Sequence, residues 1–320
     1  MTGEARVHQD IILHHFEESP FSEKVRVALG FKGLPWRSVR ISRIMPRPDL
    51  MPLTGGYRRT PVMQIGADVY CDTQIILREL EHRFPEPTLL PGGNDGLTWA
   101  LSHWTDRAFF QSTVNLVFGT QGPRVPQDFI DDRSRLRGAP FDIEAMRNAA
   151  PHMRDQFRAY LAWIDAQLAD GRPWLFGDAL SIADIHAYMN LWYIRSNLTE
   201  QERLSAGLEQ IVDAMPAVLA WEARIRAIGH GRRTEMTSAE ALAVGTQAEP
   251  LTPVLADMRD PNGRKPGHRV AVTPDDYGKV PVEGEIVSLS AHHIAIRRID
   301  PVAGATVVHF PRVGFIVTDR

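Results

Sequence analysis

The period of the apolar residues changes twice along this chain, and those changes constrain the fold more than any single motif does. Up to Phe84 strand and helix patterns alternate. Ile11 to Phe16 is a short β-branched and aromatic run of the kind a buried strand uses. From Ser22 to Phe31, apolar residues at Val25, Ala28 and Leu29 form a helical stripe that stops at Gly33 and Pro35. Trp36 to Ile41 alternates as a strand. Pro61 to Ile65 and Ala67 to Cys71 flank Gly66 as a hairpin, and Ile75 to Phe84 returns to helical period with Ile76, Leu77 and Leu80 on one face. The strand–helix–strand crossover at the start is expected to be parallel and right-handed.

Pro85 to Gly96 is rich in proline and glycine and makes a linker. Beyond it, Trp99 to Val117, Met153 to Leu168, Ile182 to Ser196 and Ala217 to Ile228 carry apolar stripes of helix period. Gly119 to Pro151 is less regular and predicts a long loop with one short helix. Ser238 to Gly245 predicts another short helix. The period then falls to two: Val270 to Thr273, Glu285 to Ser290, Ile294 to Ile299, Thr306 to Phe310 and Gly314 to Val317 predict strands, with Asp300 to Gly304 as a hairpin connector. The expected domains are therefore 1–85 (α/β), 97–233 (all-α) and 246–320, a small antiparallel barrel or sheet. That last part is expected to be a stabilising appendage packed on the helical domain or on a dimer partner. The other reading makes it a binding module that regulates access to a site.

Composition excludes several classes. A net charge of −3 gives no nucleic-acid or anionic-membrane footprint. Hydrophobic residues at 43% and charged residues at 23% suit a globular core. The single cysteine, Cys71, forbids an intrachain disulfide and any CxxC motif. MTGEARVHQD lacks a leader pattern and no apolar run reaches bilayer length, so a cytoplasmic protein without a membrane partner is expected. No metal is expected either. His14-His15 and His292-His293 are adjacent in strands and point to opposite faces.

Three segments carry chemistry. EESPFSEKVRVALGFKGLPW (17–36) ends a strand, turns through Ser19-Pro20-Phe21-Ser22 and starts a helix. The unpaired N–H groups of a helix N-terminus favour an anion, and a hydroxyl there can hold a thiol as thiolate. Ser19 can equally be a plain N-cap. RRTPVM (58–63) puts Thr60-Pro61 at the start of a strand, either as a cis pair or as an ordinary trans proline on an edge. CDTQIILREL (71–80) sets Asp72-Thr73 at a strand-to-helix junction, where the acid also suits an N-cap.

In this order the three segments resemble the cytosolic glutathione transferases, and the SPF turn resembles the serine-type, tau- and theta-like members. GDALSIADIHAYMNLW (177–192), with its Ser181–Asp184 capping box and Leu180–Ile185 staple, resembles the helical-domain core of the same superfamily. The resemblance spans residues 10 to 230. It implies a thioredoxin-like domain followed by an all-helical domain, with glutathione as cosubstrate and a hydrophobic electrophile in a cleft between them. Ser19 would activate the glutathione sulfur, with Phe21 beside it. Thr60 and Pro61 would pair with the cysteinyl backbone, Arg59 would meet the glycyl carboxylate, and Asp72 and Thr73 would hold the γ-glutamyl end. Trp104 and Phe110 would line the electrophile pocket, and a detoxifying homodimer would be the usual assembly. Disulfide-reductase chemistry is not expected, since serine stands where glutaredoxin-like relatives carry cysteine. Cys71, beside an acid, is not expected to have a lowered pKa. The rival readings are a non-catalytic relative that binds proteins or small molecules, and a glutathione-dependent isomerase, dehalogenase or lyase.

Overall fold

Strand β1 (Ile12–His15), helix α1 (Pro20–Phe31), strand β2 (Pro35–Arg40), the single turn α2 (Met51–Thr54), strands β3 (Val62–Ile65) and β4 (Asp68–Cys71) and helix α3 (Thr73–Arg83) follow one another in a computed structural model. It describes residues 10–320, so the leader question lies outside the described residues. β1 runs parallel to β2 and antiparallel to β3, which pairs antiparallel with β4. This is the thioredoxin-like domain. Because strand side chains alternate, Leu13, Met63 and Tyr70 join a core with α1 and α3, while Ile12, Val62 and Val69 belong to a second core on the other face.

The helical domain contains α4 (Asp95–Trp104), one π turn (Thr105–Phe109), α5 (Phe110–Gln121), α6 (Gln127–Arg137), α7 (Ile143–Leu168), α8 (Ile182–Asn197), α9 (Glu200–Ser205), α10 (Leu208–Asp213) and α11 (Pro216–Ile228). The long loop expected between Gly119 and Pro151 is instead α6 and the first two turns of α7. α6 buries only Phe129 and Asp132, so its apolar stripe is faint. α7 runs through Pro151, which is solvent-exposed. The missing N–H and ring crowding cost about 3 kcal/mol or more in a helix interior. Burial of Met146, Phe157, Leu161, Ile164 and Leu168 along the same helix offsets that penalty.

The remaining elements are β5 (Arg232–Glu235), α12 (Ser238–Gln247), β6 (Arg269–Pro274), β7 (Val282–Leu289), β8 (His293–Asp300), β9 (Gly304–Pro311) and β10 (Phe315–Asp319). They extend the first sheet at both edges, giving ten strands in the order β10-β6-β7-β8-β9-β4-β3-β1-β2-β5. The principal attachment of the strand-rich region is therefore the thioredoxin-like sheet. β9 lies parallel to β4, with Val69 opposite Val308. Asp68 on β4 accepts from Leu251 N–H at 2.8 Å and lies 3.3 Å from His309 Nε2, while His293 Nε2 and His309 Nδ1 are 3.0 Å apart. These contacts tie the added strands to the hairpin.

The extended sheet curls. Tyr57, in the loop after α2, packs against both Phe310 and Phe315, with ring centres 5.9 and 6.4 Å away. Gly55 (φ +71°) lets that loop nest inside the curl, because a Cβ there would come within 2.5 Å of Arg298 Nε. α12 closes the same face, with Gln64 Nε2 donating to Ala241 O at 2.9 Å. With α2 only four residues long, the chain's own C-terminal part covers this face of the sheet.

Candidate functional site

Ser19 stands at the N-cap of α1, with Pro20 as the first helical residue. Its Oγ accepts from Ser22 N–H at 3.1 Å, which leaves the hydroxyl proton free to be donated. The side chain is nearly buried but borders a cavity of about 500 Å³ between the two domains. The Thr60–Pro61 bond is cis, and neither backbone polar group of Thr60 has a hydrogen-bond partner among the described residues. Asp72 caps α3 by accepting from Gln74 N–H at 2.9 Å. Its φ of +97° makes it the only left-handed non-glycine among the described residues. Such a conformation typically costs about 1–3 kcal/mol and clusters at binding sites.

Asp72 and Thr73 line a smaller cavity of about 70 Å³ together with Phe21, Thr60 and Pro61. Phe21, Arg59 and Thr60 also border the larger cavity, so the two adjoin as neighbouring parts of one hollow. Ser19, Phe21, Arg59, Thr60, Pro61, Asp72 and Thr73 thus all line one or the other of these two adjoining cavities. Cys71 is buried behind them, and burial pushes its thiol well above the ordinary range.

Two charged groups not expected from the sequence stand beside Asp72. The π turn carries Asp106 to the hollow, where it forms an ion pair with Lys24, whose side chain is fully buried. Burial pulls Lys24 below its usual range although Asp106 works against it. Burial also raises Asp72 to about 6, against the opposing pull of the Gln74 N–H, Arg59 and Lys24. The result is an acid–base–acid cluster of net negative charge, suited to an ammonium group.

Two assignments need correction. Trp104 does not reach either cavity. It packs in the helical core against Phe109, Tyr160 and Trp163, with ring centres 5.4–5.6 Å away. Its α4 position, just before the π turn, is rotated away from the hollow. Phe110, the first residue after that turn, does line the large cavity and meets Phe21 edge-to-face at 4.9 Å. Arg59 is engaged by the protein itself, so a ligand carboxylate would have to compete for it. The β6–β7 loop lays Tyr277 against its guanidinium at 3.9 Å, and Asp276 forms an ion pair with it. The same loop donates Gly278 N–H to Leu136 O at 2.8 Å, bridging the hollow from sheet to helices.

His14 and His15 point to opposite faces, His14 to Gln64 and His15 to Ser38 and Arg26. Burial lowers them to about 4 and about 3, so both are neutral. Among the described residues no cluster of His, Cys, Asp or Glu could hold a metal, and no helix is long and apolar enough to cross a membrane.

Comparison with known proteins agrees with this arrangement. The N-terminal domain of glutathione S-transferase matches residues 13–88 and the C-terminal domain matches residues 128–224. FtsZ-localized protein A of Caulobacter vibrioides is 30% identical over 186 residues, covering 56% of this chain and 75% of that protein. Maleylpyruvate isomerase of Ralstonia sp is 30% identical over 86 residues, 26% of this chain and 41% of that protein. The solved structure of a GST-like protein from Pseudomonas syringae is 36% identical, with a TM-score of 0.77, and the match covers 98% of this chain and all of that one. The added strands are therefore shared with that protein. With both domain matches in sequence order and a full-length structural counterpart, the chain belongs to the glutathione S-transferase superfamily.

Proposed function

We propose that the protein is a glutathione-dependent enzyme in which Ser19 Oγ donates a hydrogen bond to the glutathione sulfur and holds it as thiolate. The observation that carries this is Ser19 Oγ itself: anchored at a helix N-terminus, with its proton uncommitted, it faces a cavity of ligand size. The 500 Å³ volume lies within the roughly 300–1,000 Å³ range of small-molecule sites. The cysteinyl backbone would pair with Thr60, and Asp72, aided by Asp106, would hold the γ-glutamyl ammonium with Thr73 beside the carboxylate. The thiolate then attacks an electrophilic carbon beside Phe110, and the leaving group departs. The superfamily resemblance adds a cytoplasmic homodimer, and light scattering of the purified protein would check the dimer.

Glutathione binding measured by calorimetry, together with conjugation of 1-chloro-2,4-dinitrobenzene, tests this function. A protein that neither binds glutathione nor conjugates would refute it and favour a non-catalytic binding role. The Asp276–Tyr277 clasp on Arg59 and the similarity to FtsZ-localized protein A motivate that second reading.

The affinity should depend on pH with a definite sign. The ammonium of glutathione stays protonated between pH 5 and 7, and only the ionised form of Asp72 attracts it. With Asp72 raised to about 6, affinity should hold above that pH and fall about tenfold by pH 5. Asp72→Asn should bind weakly with a flat profile over that interval. An unchanged slope in the variant would assign the titration elsewhere.

The clasp on Arg59 competes with the glycyl carboxylate. Burial would raise Asp276, but Arg59 outweighs it and holds the carboxyl below its usual range. Asp276→Asn is expected to tighten glutathione binding about fivefold, since a partly exposed ion pair contributes about 1 kcal/mol. Weaker binding in the variant would mean that Arg59 does not receive the carboxylate.

A further inference from the structure

The large cavity is lined largely by apolar side chains, but it is not neutral. Away from the Arg59 end, Arg43, Arg47, Arg58, Arg133 and Arg137 line it. The carboxylates facing these five are Asp132, shared between Arg58 at 2.7 Å and Arg133 at 3.3 Å, and Glu18, 3.8 Å from Arg43. Five cations against two anions leave three positive charges in excess.

Two of the five have no carboxylate partner among the described residues. Arg47 is 6% exposed, and its donors go to the carbonyls of Ser42, Arg43 and Arg58 and to Thr60 Oγ1. Burial, then the charges of Arg133 and Arg58, lower it to about 10. Arg137, in the last turn of α6, is exposed at the rim and touches the Phe141 ring, 5.6 Å away. Two of the cations also share one ring. The guanidiniums of Arg43 and Arg133 lie 4.8 and 4.6 Å from the centre of the one Phe129 ring. Each keeps one protein carboxylate, Glu18 for Arg43 and Asp132 for Arg133, and Asp132 is divided between Arg133 and Arg58. Between the cations the wall is aromatic, with Phe118, Phe129 and Phe141 packed against one another at 4.9–6.1 Å.

We propose that this cavity selects an electrophile carrying a carboxylate, with the carboxylate seated among Arg43, Arg133 and Arg137 and a flat carbon skeleton against Phe118, Phe129 and Phe141. The selection rests on the glutathione-dependent role above, because that role makes this cavity the electrophile site. Arginine suits the task, since its planar fork matches a carboxylate and stacks on rings.

Two measurements separate this selectivity from the transferase reading. Without glutathione, calorimetry compares the unreactive 3,5-dinitrobenzoate with neutral 1,3-dinitrobenzene. The carboxylate should bind at least roughly tenfold tighter, and the preference should shrink with added salt and fall about fivefold in Arg43→Gln and in Arg137→Gln. Thermal melting of each variant confirms that it is folded. With glutathione, 4-chloro-3,5-dinitrobenzoate and 1-chloro-2,6-dinitrobenzene are compared as ratios to their uncatalysed rates. In each, sulfur bonds to the ring carbon, chloride leaves and the thiol proton passes to solvent. A preference of kcat/KM for the carboxylate supports the selection. Preferential carboxylate binding without turnover keeps the anion pocket and refutes the transferase role. Equal binding of the two dinitroarenes, or a preference unchanged in both arginine variants, overturns the anion pocket whatever the turnover.

Discussion

Ser19→Ala is expected to lower turnover about 100-fold while leaving the glutathione Kd within about twofold, because one donor to a developing or stabilised anion is worth roughly 10²–10³ in rate. Its Oγ has two roles, and substitutions can divide them. It accepts from Ser22 N–H as the cap of α1 and has one proton to give. Alanine removes both functions, with about 1 kcal/mol of stability lost with the cap. Ser19→Thr keeps both. Ser19→Asp keeps the cap but offers no proton at neutral pH and repels a thiolate. If the hydroxyl acts on sulfur, activity should rank Ser, then Thr, with Ala and Asp far below. The pKa of bound glutathione, read from thiolate absorbance, should rise in the alanine variant. If Ser19 is only a cap, Asp will be as active as Ser, and Ala will lose stability but not rate.

Asp184→Ala should be the most damaging single change to the fold, at about 3–5 kcal/mol, because it strips the partner from a buried set of donors. Asp184 is fully buried and accepts four hydrogen bonds. These come from Leu175 N–H (2.8 Å), Trp221 Nε1–H (2.9 Å), Ser181 N–H (2.9 Å) and Ser181 Oγ–H (2.8 Å). It joins the start of α8 to α11 and to the segment before α8. Chemical denaturation measures the loss, and Asp184→Asn should lie between wild type and alanine. Burial, acting against these donors, raises this carboxyl, so the folded value exceeds the unfolded one. The folded state therefore binds the proton more tightly, and this residue's contribution weakens as pH rises through the shifted range. A loss under 1 kcal/mol in Asp184→Ala would show that the site collapses without it.

The capping box shows how far local pattern can be trusted. Ser181, Asp184, Leu180 and Ile185 declare themselves by spacing, and in the fold Asp184 closes the box while both staple residues are buried in the main core. The same holds for β1, α1, β2 and the β3–β4 hairpin, whose periods are strong and whose caps lie within a few residues. α6 and the start of α7 failed for a physical reason. A mostly polar helix leaves almost no stripe, and Pro151 signals a break that packing further along the helix overrides. Trp104 and Phe110 are both aromatic on one helical stretch, but the intervening π turn changes which face each presents.

What the sequence determined by itself was local: which segments are strands and helices, where they start, and which hydroxyl and acid stand at the two helix entrances. The five strands at the C-terminal end were legible as strands. Their partner was not, since any open edge can accept a strand, and the pairing of Asp68–Tyr70 with Val307–His309 spans some 240 residues of chain. Only the tertiary structure decided that one sheet would join the two ends and that its β6–β7 loop would cover Arg59. It also gathered arginines from the β2–β3 region and from α6 around one cavity. Side chains far apart in sequence meet through the summed packing of the elements between them, which no local period encodes.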